Sequence, residues 1–156
     1  MDEKRGAALP RWRELPDLEL YMDQVLALTE RYLAACPGLD SRGLTAAMVN
    51  NYMKLGVLPA PVRKRYSRAH LARLLMICVL KPVLPIASIR KLIEAGLRES
   101  AEEVFYDGFC ERFEETQRAM EQPGGTVDVL RAALRAGAEQ GLAQRLVDEL
   151  EENIRK

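Results

Sequence analysis

Hydrophobic residues recur at intervals of three and four along nearly the whole chain, the spacing that lines one face of an α-helix. Leu18, Tyr21, Met22, Val25, Leu28 and Tyr32 form such a face, predicting a helix from about Asp17 that Pro37-Gly38 stops. Thr45 is placed to cap a short helix carrying Met48, Val49 and Tyr52, with Gly56 as its terminator. From Val57 to Tyr66 the pattern lapses. Pro59 and Pro61 forbid a helix there, so an extended loop or a tight β-hairpin is expected. Ser67 caps the next helix, with Leu71, Leu74, Leu75 and Cys78 inward and Lys81-Pro82 ending it. Pro85 suits the first turn of another, with Ile86, Ile89, Leu92 and Ile93 inward and Gly96 after it.

The remainder reads as two longer helices. Ser100 and Glu103 have capping-box spacing, and Phe105, Phe109 and Phe113 make an aromatic stripe suited to a core or a dimer contact. Pro123-Gly124-Gly125 interrupts; Thr126 then caps a segment with Val127, Leu130, Leu134, Leu142, Leu146, Leu150 and Ile154 along one seam. Gly137 and Gly141 each cost about 1 kcal/mol relative to alanine in a helix interior, so a bent or split last helix is expected. Their spacing of four could let another helix approach closely, although in a soluble chain that motif is mostly coincidence.

A chain of 156 residues with 48% hydrophobic and 29% charged side chains is globular and large enough to bury a core without disulfide or metal. The three cysteines, Cys36, Cys78 and Cys110, share no short spacing and read as reduced, buried fillers rather than metal ligands. His70, the single histidine, reads as a packing residue. The first residues carry charge where a signal peptide needs an apolar run, and no stretch approaches the ~18 apolar residues of a membrane span. A cytoplasmic protein is expected, with no membrane association.

Charge changes the picture. The 23 basic and 23 acidic residues cancel overall, but not locally. Residues 1–40 hold five Lys/Arg against eight acids (−3), residues 41–93 hold ten against none (+10), and residues 94–156 hold eight against fifteen (−7). A basic block between acidic ones presents its own field at the ~8 Å screening length of physiological salt.

Within that block, Met48-Val49-Asn50-Asn51-Tyr52-Met53-Lys54-Leu55-Gly56-Val57-Leu58-Pro59, followed by Arg65-Tyr66-Ser67, by Leu71 and Leu74, and by Leu84-Pro85-Ile86 with Ile89, resembles the winged helix-turn-helix of MerR-type regulators. With Trp12-Arg13-Glu14-Leu15-Pro16-Asp17 and Leu20 to Val25 added, residues 10–95 are closer still to a bacterial family of unknown function placed near that superfamily. The resemblance implies an all-α fold with a small β wing, a winged helix-turn-helix over 1–96 followed by acidic C-terminal helices over 97–156 that dimerise or sense. It puts a recognition helix at about 45–55 and a short wing at about 59–66. Asn50-Asn51 stand where such helices usually carry Arg-Tyr, the wing is several residues short, and the linker from Pro37 to Leu44 is long.

The chemistry of the block points the same way. Lys and Arg without acids gain affinity for a duplex by releasing its condensed counterions. Asn is shaped for a bidentate contact with adenine in the major groove, so Asn50 and Asn51, with Lys54 one turn on, are candidate base readers; the alternative is that the two amides cap or satisfy buried backbone. Arg63, Lys64 and Arg65 are candidates for phosphate or minor-groove contact, and Thr45, Tyr66 and Arg68 complete the DNA-binding set. Tyr52 and Tyr66 also read as braces between helix and wing. Double-stranded DNA bound by a homodimer is the expected partner, with room for an unidentified small-molecule effector. No cofactor, metal or catalytic constellation is indicated. The alternative is an interaction module whose basic face binds an acidic partner or the chain's own C-terminal block.

Overall fold

The computed structural model describes residues 8–36, 39, 43–120 and 124–155. Six helices follow in order among these residues: α1 Met22–Ala34, α2 Ala46–Lys54, α3 Arg68–Leu80, α4 Ile86–Glu99, α5 Glu102–Ala119 and α6 Gly125–Arg155. A 3₁₀ turn at Trp12–Glu14 precedes them.

α3 lies at the centre. Its neighbours are α1, α4 and α5, and His70, Leu71, Ala72, Leu74, Leu75, Met76 and Ile77 are all buried. Burial on every side requires an apolar circumference, which RAHLARLLMICVL supplies after its first turn. One cluster of buried side chains extends from Leu9 to Val147. It draws on both sides of the boundary expected at residue 96.

The N-terminal segment straps onto α5 by polar contacts. Tyr106 Oη donates to the carbonyl of Pro10 (2.7 Å), and Arg11 donates to the carbonyl of Asp107 (3.0 Å) and pairs with Glu114 (3.0 Å). The N–H of Trp12 donates to Asp107 (2.8 Å). The buried line of α5 is Tyr106, Cys110 and Phe113, with Phe105 and Phe109 half-buried beside it. Phe105 lies against Gly96, where an added Cβ would sit 2.1 Å from the ring. Glycine is the residue that lets α4 and α5 meet there.

Several local expectations are corrected. No strand or sheet exists among the described residues, so the expected wing, and with it the winged-helix fold, is not formed. In its place is a two-residue turn closed by one antiparallel bridge, Val62 to Arg65. The physical reason is length: Pro59 and Pro61 lack N–H donors, leaving only Val62 and Arg65 to pair. α1 begins five residues later than expected because Leu20 exchanges both backbone hydrogen bonds with Tyr66 (2.9 and 2.8 Å), keeping that stretch extended and Leu18 exposed. Ser100 caps nothing on α5, whose cap residue is Ala101; its hydroxyl donates back to the carbonyl of Gly96 at the end of α4. α6 starts at Gly125 and runs unbroken through both of its interior glycines, with Asp128, not Thr126, accepting the N–H of Gly124 (3.2 Å). The stop at Pro37-Gly38 and Pro123 lie outside the described residues.

Candidate nucleic-acid interface

α2 is nine residues long, about 13 Å. Thr45 caps it, its Oγ1 accepting the N–H of Met48 (3.2 Å). Val49 and Tyr52 face the core. On the opposite face, Ala47, Asn50, Asn51 and Lys54 share one exposed stripe at helical spacing. None of these polar side chains has a partner among the described residues. The helix ends at Leu55, and Gly56 takes a positive φ of 74° that a Cβ would strain. The chain then stays tied to α2, since the N–H groups of Val57 and Leu58 both donate to the carbonyl of Tyr52 (3.0 and 3.3 Å).

The turn that follows is unusual in composition. Arg63 and Lys64 both have positive φ, 52° and 60°. A two-residue turn of this kind is adopted at least cost by Asn-Gly; with two Cβ-bearing residues it holds about 1–3 kcal/mol of strain at each. Both side chains are exposed and neither has a partner among the described residues.

His70 anchors the base of this segment. The N–H of Ser67 donates to Nδ1 (3.0 Å), so the proton sits on Nε2, which donates to the carbonyl of Pro59 (3.0 Å). Burial pushes the His70 pKa below its usual value, against an opposing pull from the Pro59 carbonyl. The imidazole is therefore a neutral pin between the start of α3 and the proline loop, and the Tyr66 ring stands edge-on to it at 5.2 Å.

Three members of the expected DNA-binding set are occupied elsewhere. Arg65 pairs with Glu19 (2.9 Å), donates to the Tyr21 hydroxyl (3.2 Å) and lies over the Tyr21 ring. The Glu19 carboxylate raises its pKa above the usual arginine value. Tyr66 is buried, with burial raising its pKa, and its backbone pairs with Leu20. Arg68 donates to the carbonyl of Leu15 (3.1 Å) and lies over the Trp12 ring.

The rest of the acid-free block divides in the same way. Arg73 pairs with Glu102 (2.5 Å), Arg90 with Glu94 (2.8 Å) and Lys91 with Glu151 (2.7 Å). Arg90 also donates to the carbonyl of Leu55 (3.0 Å). Lys54, Arg63, Lys64 and Lys81 have no acid partner among the described residues, and Lys81 sits 6.0 Å from the Tyr52 ring. Arg42 lies outside the described residues. Segment sums placed the basic charge correctly along the chain but did not reveal which cations the neighbouring acids answer. Glu94 and Glu102, just past the block, were a signal for Arg90 and Arg73; Glu19 and Glu151, far along the chain, gave none for Arg65 and Lys91.

The remaining reactive groups are quenched by burial, which pushes the Cys78 and Cys110 thiols up to about 11 and raises Cys36 as well. No group of three or more His, Cys, Asp or Glu among the described residues is placed to hold a metal, and no helix there is long and apolar enough to cross a membrane.

Residues 10–111 match the family described as a domain of unknown function (DUF1836). The chain belongs to that family. The matched stretch runs from the Trp12 turn into α5 and ends within that helix, before Phe113 and α6. No curated protein and no solved structure matches the chain. The kinship with MerR-type regulators drawn from the motif order is therefore corrected: the family found is the DUF1836 one, and the wing on which the likeness depended is absent. The shared residues serve the local packing of any short helix followed by a Gly-Pro loop, with Tyr52 in the core and Gly56 at a left-handed terminus.

Proposed function

We propose that this protein is a sequence-specific DNA-binding regulator that acts as a homodimer, with α2 as the reading helix. The observation that carries the reading is the exposed stripe Ala47, Asn50, Asn51 and Lys54, opposite a buried face and without partners among the described residues. Ala47 keeps the approach low, the two amides offer the donor-acceptor pairs that match adenine, and Lys54 adds a phosphate contact. Arg63 and Lys64 support it: a strained, exposed turn retains two cations where Asn-Gly would fold at lower cost. Arg65, Tyr66 and Arg68 hold the turn and α3 in place behind them. A nine-residue helix reads few base pairs, so a two-fold dimer presenting two copies fits the need for specificity.

With Lys54, Arg63, Lys64 and Lys81 free of an acid partner among the described residues, the logarithmic salt slope is about −3 to −4 per protomer. Fluorescence anisotropy against a random-sequence duplex at about 50 and 200 mM salt tests this. Affinity weakening by about a hundredfold between them supports the reading. Undetectable binding at the lower salt, or affinity indifferent to salt, overturns it in favour of an acidic protein partner for the same face.

A further inference from the structure

A cleft of about 330 Å³ opens between the end of α2, one face of α4 and the last turns of α6. Ala87, Arg90, Lys91 and Glu94 line it from α4, at a spacing that puts them on a single stripe of that helix. Glu151 joins them from α6, and Leu55, Val57 and Ile86 supply apolar surface. Gly56 shapes one edge. Its positive φ turns the chain there, and a Cβ would stand 3.2 Å from the guanidinium carbon of Arg90.

The charged groups of the cleft have capacity left over. The Arg90 guanidinium donates from Nε to Glu94 (2.8 Å) and from Nη1 to the carbonyl of Leu55 (3.0 Å), while its Nη2 has no partner among the described residues. Lys91 pairs with Oε2 of Glu151 (2.7 Å) and has no other partner among them. Glu94 and Glu151 each engage one oxygen in these pairs, and the second oxygen of each has no partner among the described residues. Two positive and two negative groups, all partly exposed, thus stand around an apolar patch with no net charge. Ion pairs this exposed are weak enough to share their members with an incoming partner.

We infer that this cleft binds a free α-amino acid with an aliphatic side chain, its carboxylate on Arg90 and Lys91, its ammonium on Glu94 and Glu151, and its side chain against Val57 and Ile86. The charge pattern selects the class. A lone anion would meet two carboxylates and a lone cation two cations, whereas a zwitterion leaves every charge beside an opposite one. Volume sets the size: the cleft lies at the small end of the roughly 300–1,000 Å³ of ligand pockets, which suits an amino acid and not a nucleotide or a peptide. The apolar surface offers a polar side chain no hydrogen bond, so a hydrocarbon one fits it best.

Nothing here depends on what α2 binds, and the test contains no DNA. Isothermal titration calorimetry of the full chain with L-leucine, L-isoleucine and L-valine in turn should detect at least one of them with a Kd at or below about 1 mM. For the amino acid that binds, the analogue lacking the ammonium and the analogue lacking the carboxylate (4-methylpentanoate and isoamylamine in the case of leucine) should each bind at least about tenfold more weakly. Arg90→Gln and Glu94→Gln should each weaken binding by about tenfold or more with the circular-dichroism spectrum retained. Ala87→Phe, which fills the cleft from its exposed edge without changing a charge, should abolish it. Silence from all three amino acids overturns the inference. So does an analogue that binds as tightly as its parent, or wild-type affinity in Arg90→Gln and Glu94→Gln.

Discussion

Two sets of cations in the acid-free block make an instructive contrast. Arg65, Arg73, Arg90 and Lys91 stand beside carboxylates of the flanking acidic blocks. Lys54, Arg63, Lys64 and Lys81 stand beside none among the described residues. Both sets contribute equally to the +10 sum, yet only the second projects an uncompensated field toward a polyanion. The first set ties elements together: Arg73 joins α3 to α5, Lys91 joins α4 to α6, and Arg65 joins the turn to the segment before α1. A cation's role follows from its nearest carboxylate rather than from the charge of its segment.

Substitutions separate the two roles. Reversing the charge of Lys54, Arg63 and Lys64 together should weaken duplex binding by more than about a hundredfold. All three are exposed and unpaired, so the thermal midpoint should stay within about 2 °C. Arg73→Ala should do the opposite. It leaves the half-buried Glu102 carboxylate without its partner, lowering stability by about 1–3 kcal/mol in urea denaturation, with binding per folded molecule unchanged to within about twofold.

A smaller effect tests the turn. Arg63→Asn with Lys64→Gly puts residues that tolerate positive φ at both positions and relieves part of the strain, so stability should rise by about 1 kcal/mol. Affinity should fall by about tenfold in the same variant as two phosphate contacts are lost. Stability and binding moving in opposite directions at one turn is the signature of strain retained for function.

The smallest expected effect is a pH dependence. His70 is held neutral by burial, so its pKa is lower folded than unfolded. Below about pH 6.5 the unfolded chain takes up a proton that the folded chain resists. Stability from this residue is complete above that pH and declines as pH falls toward the folded value. Thermal midpoints between pH 7.5 and 5 should show the decline in the wild type, and His70→Gln should flatten it.

Much of the fold was legible from the sequence. The 3.6-residue period located all six helices among the described residues, and Thr45, Ser67 and Gly56 marked boundaries by local chemistry that packing left intact. What the period could not convey was depth. The seven buried residues of α3 surround a central helix rather than line one face, and on α6 the expected seam left out buried Val147 while its members Leu130, Leu134, Leu142 and Leu146 stand exposed. Tyr106, the largest fully buried side chain, was hidden behind the more conspicuous phenylalanine series, because a hydroxyl suggests a surface until Pro10 is seen to accept from it. Asn50, Asn51 and Lys54 share an exposed face of α2, and Arg63 and Lys64 an exposed turn, placements that local sequence spacing suffices to give. Arg65, Tyr66 and Arg68 were not legible, since their partners Glu19, Leu20 and Leu15 lie some 45 to 55 residues away along the chain.

The salt slope of duplex binding, measured across single alanine variants, tests the central claim most directly. Each of Lys54, Arg63 and Lys64 should shallow the slope by about one unit when replaced, and each of Arg65, Arg90 and Lys91 should leave it unchanged. Equal changes in the two sets, or a slope near zero in the wild type, would contradict the division of the basic block into a scaffold and a DNA-facing surface.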